Sequence, residues 1–504
     1  MTKLFRAHAL LALAVPALLL AGCTTSGRVT GGDGPTAAYA QSETASTTAF
    51  AGGKTIAVVA FNDGTDPNNL VQYTATTRLI TNGASLMGWS YSTDNGVNWI
   101  YGGRVTPPPG WAVLWGDPSI TTSRMHYAVV FMGSLAIPSS KMPAAGISGS
   151  VIVSGANSYI GGGCIARSTD GGKTFAHYQC VQNKAKNNTP GSENGHFYDG
   201  SSMAAGEDGA IYAAFVDVTE SAIEVWRASD HNASFTKMSN PFPNIDISSH
   251  PRLRASPFDS SIYVAGQSSN GQIWINRWRD GNWGKPQSVG SAKLYPCVPF
   301  ESVSACNDSG GKLKVRTGPQ FSYDVGAQND PEGRDAIRFL YTVQDSASGR
   351  LHLVSKNCDL ALTGCYSWLG AYDWGTPVSQ KVAIDYFNPL VRAWRGFIGL
   401  PPIWMASYNY RYGLPATGVY VSRAALAYLP SGERLWFPID AYKNMPVCPD
   451  RRGYWGDYDD LTMLGFKNDA PQWLRTVSDS TPACSVRREF DSDPLHVRAL
   501  VFPP

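Results

Sequence analysis

Two octapeptides constrain this chain more than any other stretch. Ser92-Thr93-Asp94-Asn95-Gly96-Val97-Asn98-Trp99 and Ser168-Thr169-Asp170-Gly171-Gly172-Lys173-Thr174-Phe175 share the pattern Ser-Thr-Asp-x-Gly-x-x-aromatic, and each follows a short apolar run. Physically this is a tight turn between two strands. The Ser and Asp side chains bond backbone N–H groups inside the turn, the Gly takes positive φ, and the aromatic opens the next strand. One copy would be an ordinary hairpin; two indicate a repeated structural unit.

These residues resemble the Asp-box (BNR) repeat family, whose best-known members are the sialidases. The resemblance implies an all-β fold, a β-propeller of four-stranded blades with each box at the turn between a blade's third and fourth strands. Composition agrees, with 51 Gly, 33 Pro, 12% aromatic and only 16% charged residues. Seven apolar runs recur: Thr55–Phe61, His126–Met132, Ala210–Val216, Ser261–Gly266, Ala336–Val343, Ile403–Tyr408 and Leu461–Phe466. Each reads as the buried innermost strand of a unit. Weaker turn signals follow at Ser229–Phe235, Arg279–Trp283 and Pro430–Gly432. The count favours seven blades, with six, the sialidase number, as the alternative; a β-sandwich plus a second domain is the competing architecture. The terminal run His496–Phe502 is expected to close the ring, which leaves no long open edge.

Residues 1–22 have the layout of a signal peptide: Lys3 and Arg6, an apolar run from Ala9 to Leu20, then small residues. Leu20-Ala21-Gly22-Cys23 resembles a bacterial lipobox, which implies cleavage before Cys23 and lipid, palmitate included, on its thiol and new amino group. Thr24 favours the outer membrane, and no later run is apolar enough to span a bilayer. Residues 23–53, small, polar and lacking apolar periodicity, read as the lipidated cysteine and a flexible tether, with the propeller over 54–504. Setting Cys23 aside, eight cysteines fall into four local pairs: Cys164–Cys180, Cys297–Cys306, Cys358–Cys365 and Cys448–Cys484. An even count in an exported chain predicts disulfides at these pairs rather than a metal site. Neither a metal nor a cofactor is expected, and the net charge of +2 gives no sign of a nucleic-acid partner.

Strand alternation locates the chemistry. If the boxes end each third strand, the first strand starts on the opposite face, so segments entering each unit line the mouth away from the boxes. Candidate catalytic groups there are Asp117, His196, Asp199, His250, Tyr408 and Asp457; candidate substrate-binding groups are Trp115, Arg252, Trp394, Arg395, Arg452 and Trp455. Arginine forks pair with carboxylates and aromatic faces stack on sugar rings. Trp-Gly-Asp occurs twice, at 115–117 and 455–457. It also has a structural reading, the Asp capping a turn and the Trp wedged between blades. The sialidase resemblance does not extend to catalysis. No Arg-Ile-Pro motif precedes the first box, where Arg78 is the only arginine after the tether, and no Glu is locally tied to Tyr408 or Tyr410.

The function predicted is therefore an envelope-anchored propeller acting on a glycan, as glycoside hydrolase or polysaccharide lyase but not a true sialidase. The alternative is a non-catalytic propeller that binds glycan or protein, and a purely structural scaffold stands as a third possibility.

Overall fold

The computed structural model describes residues 25–29, 41–63, 72–73, 78–81, 83–141, 150–153, 160–182, 196–249, 251–292, 297–299, 312–314, 321–326, 336–344, 351–367, 384–394, 403–412, 419–428, 434–438, 445–447, 460–467, 470–479 and 496–502. Among them, seven antiparallel sheets of four or five strands succeed one another. In chain order we name them blades A to G.

Blade A holds Gln41–Ala51, Lys54–Asp63, Met87–Ser92 and Ile100–Arg104. Blade B holds Trp111–Thr122, Val130–Pro138, Gly162–Ser168 and Ala176–Val181. Blade C holds Tyr198–Ala205, Ile211–Asp217, Ala222–Ala228 and Thr236–Lys237. In blade D, Arg252–Ala255, Ile262–Gln267 and Gln272–Arg279 are followed by two short strands, Asn282–Trp283 and Gln287–Ser291, that share the third as partner. Blade E holds Phe321–Gly326, Ala336–Gln344, Leu351–Asp359 and Cys365–Ser367. Blade F runs through Ile384–Trp394, Ile403–Tyr412 and Val419–Tyr428, with Arg434–Pro438 and Met445–Val447 on the last. Blade G joins both ends of the chain: Asp460–Lys467, Ala470–Asp479 and His496–Phe502 take Thr25–Arg28 as the fourth strand. Two smaller ribbons, Gln72–Tyr73 with Arg78–Thr81 and Ser150–Val153, and Cys297–Pro299 with Lys312–Lys314, lie outside the blades.

The first strands pack side by side in the order A, B, C, D, E, F, G and back to A, so they surround a central channel. Two sequence expectations are corrected here. Residues 25–28 and 41–51 are strands rather than a flexible tether, and the propeller does not begin at Lys54. Their small polar residues escape notice because their partners supply the apolar surface: Ala45 and Ala49 are buried against the second strand, and Thr44 is fully buried. In addition, six of the seven apolar runs are second strands, and only the run at Leu461–Phe466 is innermost. A second strand is paired on both edges and covered by neighbouring blades on both faces, so it carries the apolar sequence. The innermost strand faces the channel and carries polar groups.

The boxes lie where the resemblance puts them, between the third and fourth strands of blades A and B. Ser92 Oγ donates to Asp94 Oδ1 (2.7 Å) and accepts from Gly96 N (2.9 Å), while Asp94 accepts from Asn98 N and Nδ2. Ser168 and Asp170 repeat the arrangement with Gly172 and Thr174. Gly172 has φ +85°, and a Cβ there would lie 2.5 Å from Val58 of blade A, so the second box is seated against its neighbour. The weaker signals at Ser229–Phe235 and Arg279–Trp283 also fall on third-to-fourth turns; that at Pro430–Gly432 lies outside the described residues. A further box-like turn was not apparent in the sequence. Asp359 accepts from Thr363 N and Oγ1 and from Gly364 N, the same Asp-to-i+4 pattern.

Disulfides join Cys164 to Cys180 and Cys358 to Cys365, each tying a third strand to a fourth. Of the pairs Cys297–Cys306 and Cys448–Cys484, Cys306, Cys448 and Cys484 lie outside the described residues. Cys23 also lies outside them.

Candidate site at the channel mouth opposite the boxes

The innermost strands are irregular where they meet the channel. The pairing slips between Ser42 and Thr44, between Gly116 and Ser119, and between Asp199 and Ser201. Glu43, Asp117 and Gly200 sit in these bulges with positive φ. A bulge re-aims side chains and frees backbone groups, and here those groups bond the next blade.

The result is a polar belt with a bond or ion pair at every junction between consecutive blades. From A to B, Asn62 Oδ1 accepts from Asp117 N (2.8 Å). From B to C, Asp117 Oδ2 accepts from Gly200 N and Ser201 Oγ meets Ser119 Oγ (2.8 Å). From C to D, Ser202 Oγ accepts from Leu253 N (2.9 Å). From D to E, Arg254 stands 3.7 Å from Asp324, whose other oxygen accepts from Ala393 N (2.8 Å) of blade F. Arg392 of blade F pairs with Asp460 Oδ1 (2.5 Å), and Asp460 Oδ2 accepts from Ser46 N (2.7 Å) and Oγ (3.1 Å) of blade A, which closes the ring. Burial, then the nearby charge of Arg392, pushes the Arg254 guanidinium down, opposed by Asp324 and Asp460.

Against this belt the sequence candidates separate. Asp117 is buried and belongs to the belt. Trp115 is buried in the apolar cluster shared by blades B and C, so it wedges blades and has no open face for a sugar. A Cβ on Gly116 would lie 2.2 Å from Asn62 Oδ1; the first Trp-Gly-Asp therefore has the structural role. Tyr408 is 2% exposed within the second strand of blade F, too deep to reach a substrate. His196 is buried and its Nδ1 is engaged with Asp217 Oδ2. Burial holds the Asp217 carboxyl above its usual range, with the charge of His196 opposing. Asp217 also accepts from Thr219 N and Glu220 N. Trp394 ends the first strand of blade F opposite Ile403, at the box side of the ring rather than the far mouth. His250, Arg395, Arg452, Trp455 and Asp457 lie outside the described residues.

Asp199 and Arg252 remain. Each is half-buried, near the start of the first strand in neighbouring blades C and D, and hence on the side away from the boxes. The residues that sequence reasoning missed are Glu43, Asn62, Asp217 and Asp460. One signal was available for Asp217: like Asp63, it follows an apolar strand as its final residue, and both are fully buried.

No protein-family model matches the chain, and no curated protein matches it. Among solved structures, the chain is similar to a Dyadobacter fermentans protein of unknown function, at 12% identity over 94% of this chain and 97% of that one, with a TM-score of 0.43. It is similar to a leech intramolecular trans-sialidase at 12% identity over 78% and 68% of the two chains (TM-score 0.41). It is also similar to a Penicillium chrysogenum α-L-arabinanase at 12% identity over 79% and 96% (TM-score 0.37).

Proposed function

We propose that this chain is a lipid-anchored propeller of the bacterial envelope that binds an acidic glycan at the mouth opposite its boxes. The observation that carries the reading is the placement of Arg252 beside the blade that presents Asp199, both half-buried on the far side of the polar belt. A guanidinium fork suits a sugar carboxylate, and a neighbouring carboxylate suits sugar hydroxyls. The lipid anchor rests on Leu20-Ala21-Gly22-Cys23.

Glycan turnover is the second reading, favoured by the His196–Asp217 pair, an imidazole oriented by a carboxylate. Binding ranks first because Asp117, His196 and Tyr408, three of the four described acid–base candidates, are buried. General acid–base work needs a group within hydrogen-bond reach of the scissile bond. A glycan array with the purified protein, followed by assays for new reducing ends and for 4,5-unsaturated products, tests both. Retention of acidic glycans without product, lost in Arg252→Ala and only partly restored by Arg252→Lys, is the expected result. No retention of any acidic glycan would refute the binding reading, and product formation abolished by His196→Ala would replace it with turnover. Mass spectrometry of the mature N-terminus should find a diacylglyceryl cysteine at position 23; another N-terminus would refute the anchor.

A further inference from the structure

Thr25–Arg28 is the fourth strand of blade G, and its first residue pairs with Val501, near the end of that blade's third strand. Third strands end on the box face, so the chain enters the propeller from that face. Cys23 is two residues upstream of Thr25, within about 7 Å along even a fully extended chain. A lipid on Cys23 would therefore leave the propeller no long tether.

Among the described residues, most of the exposed apolar side chains lie toward the same face. Phe50 ends the first strand of blade A; Val97 and Ile100 flank the end of its box; Met125 and Tyr127 sit in the first turn of blade B. These five are exposed over 50% to 62% of their surface. Two contacts tie these side chains to the ring and to its entry point: Phe50 N donates to Tyr127 O (2.8 Å), and a Cβ on Gly96, next to Val97, would lie 2.8 Å from Val501, the partner of Thr25. Tyr366, also exposed, lies in the short fourth strand of blade E, just after that blade's third-to-fourth turn. Charges nearby have both signs, as in the Arg124–Glu207 pair. Apolar and tyrosine side chains beside a lipid anchor suit the boundary between headgroups and acyl chains.

We propose that the box face of blades A and B lies on the lipid bilayer, with the opposite mouth turned outward toward the glycan. This orientation rests on the lipid attachment at Cys23, and the two are separable by experiment. The full-length lipidated protein is reconstituted in vesicles of phosphatidylethanolamine and phosphatidylglycerol, and its amide hydrogen exchange is compared with that of a chain starting at Thr24 in solution. Peptides covering 95–100 and 124–127 should exchange several-fold more slowly on the vesicles, while those covering 196–200 and 251–254 should not change. Val97→Asp combined with Met125→Asp, both at exposed positions, should erase that protection while the lipid still holds the protein to the vesicle. Protection at the far mouth, or none on the box face, would overturn the orientation. Protection that appears without lipid and grows with protein concentration would assign the patch to a second copy instead. An intact mass lacking the diacylglyceryl group would refute the anchor itself, and the orientation with it.

Discussion

Removing the Asp460 carboxylate should loosen the ring where the two ends of the chain meet. Asp460 Oδ2 accepts from Ser46 N and Oγ, 414 residues away in sequence, and Oδ1 pairs with Arg392 on the other side. Both charged side chains are at most 15% exposed. Deleting one partner of a buried ion pair costs about 3–5 kcal/mol because the other charge is left uncompensated. The Ser46 N–H, also orphaned, would add about 1–3 kcal/mol. Water entering the gap relieves part of both, so Asp460→Ala should lose about 4 kcal/mol, a large fraction of the roughly 5–15 kcal/mol that holds a typical protein folded. For a chain of this length, whose unfolding entropy is about 1 kcal/mol/K, that is a drop in Tm of about 4 °C. Asp460→Asn keeps an acceptor for Ser46 N and should lose about half as much. Urea titration by circular dichroism, with a thermal scan, measures both variants. A Tm for Asp460→Ala within about 1 °C of the parent would refute the idea that this carboxylate closes the ring, since that is far below the shift expected.

Asp170→Ala should cost about 1 kcal/mol, since its backbone donors are partly exposed and water replaces the carboxylate; glycan binding by the folded fraction, read on the array, should be unchanged. Burial tends to raise the Asp94, Asp170 and Asp359 carboxyls, but bonds from turn N–H and hydroxyl groups outweigh it and hold all three below the usual carboxylate range. A folded-state pKa below the unfolded one gives stability that is present above about pH 4 and lost as pH falls through the depressed values, so Tm should drop steeply in the acid limb of a pH series. Gly172→Ala meets both positive φ and the Val58 side chain and should destabilise by more than Asp170→Ala in the same urea titration. Opening Cys164–Cys180, which closes a 16-residue separation, should cost about 3 kcal/mol, and opening Cys358–Cys365, across 7, about 2 kcal/mol; Cys-to-Ala double variants measured by urea titration give the order.

The two full boxes were legible because their function is local. Every bond that shapes the turn runs between residues two to four apart, so the pattern is written into eight consecutive positions. The Asp359 turn uses the same bonds but lacks the Ser and the aromatic, and only its Thr363 partner could have betrayed it. The apolar runs were also legible, and their position in the blade was misread for a physical reason. Burial is greatest in the second strand, whereas the strand nearest the axis touches the channel and carries Glu43, Asp117 and Asp460.

The sequence alone determined an all-β chain of repeated antiparallel units, the turns that punctuate it, and the local cysteine pairs of blades B and E. Those features depend on residues close together along the chain. Only the tertiary structure decided which polar groups are built into the ring and which lie half-buried at its mouth. Asp117, His196 and Asp199 look alike as acid–base candidates. One spans the junction of blades B and C, one is locked against Asp217, and one stays half-buried at the mouth. The entry of residues 25–28 into the last blade is of the same kind. A short polar strand has no apolar signature of its own, and it becomes a strand because the edge of His496–Phe502 is there to receive it.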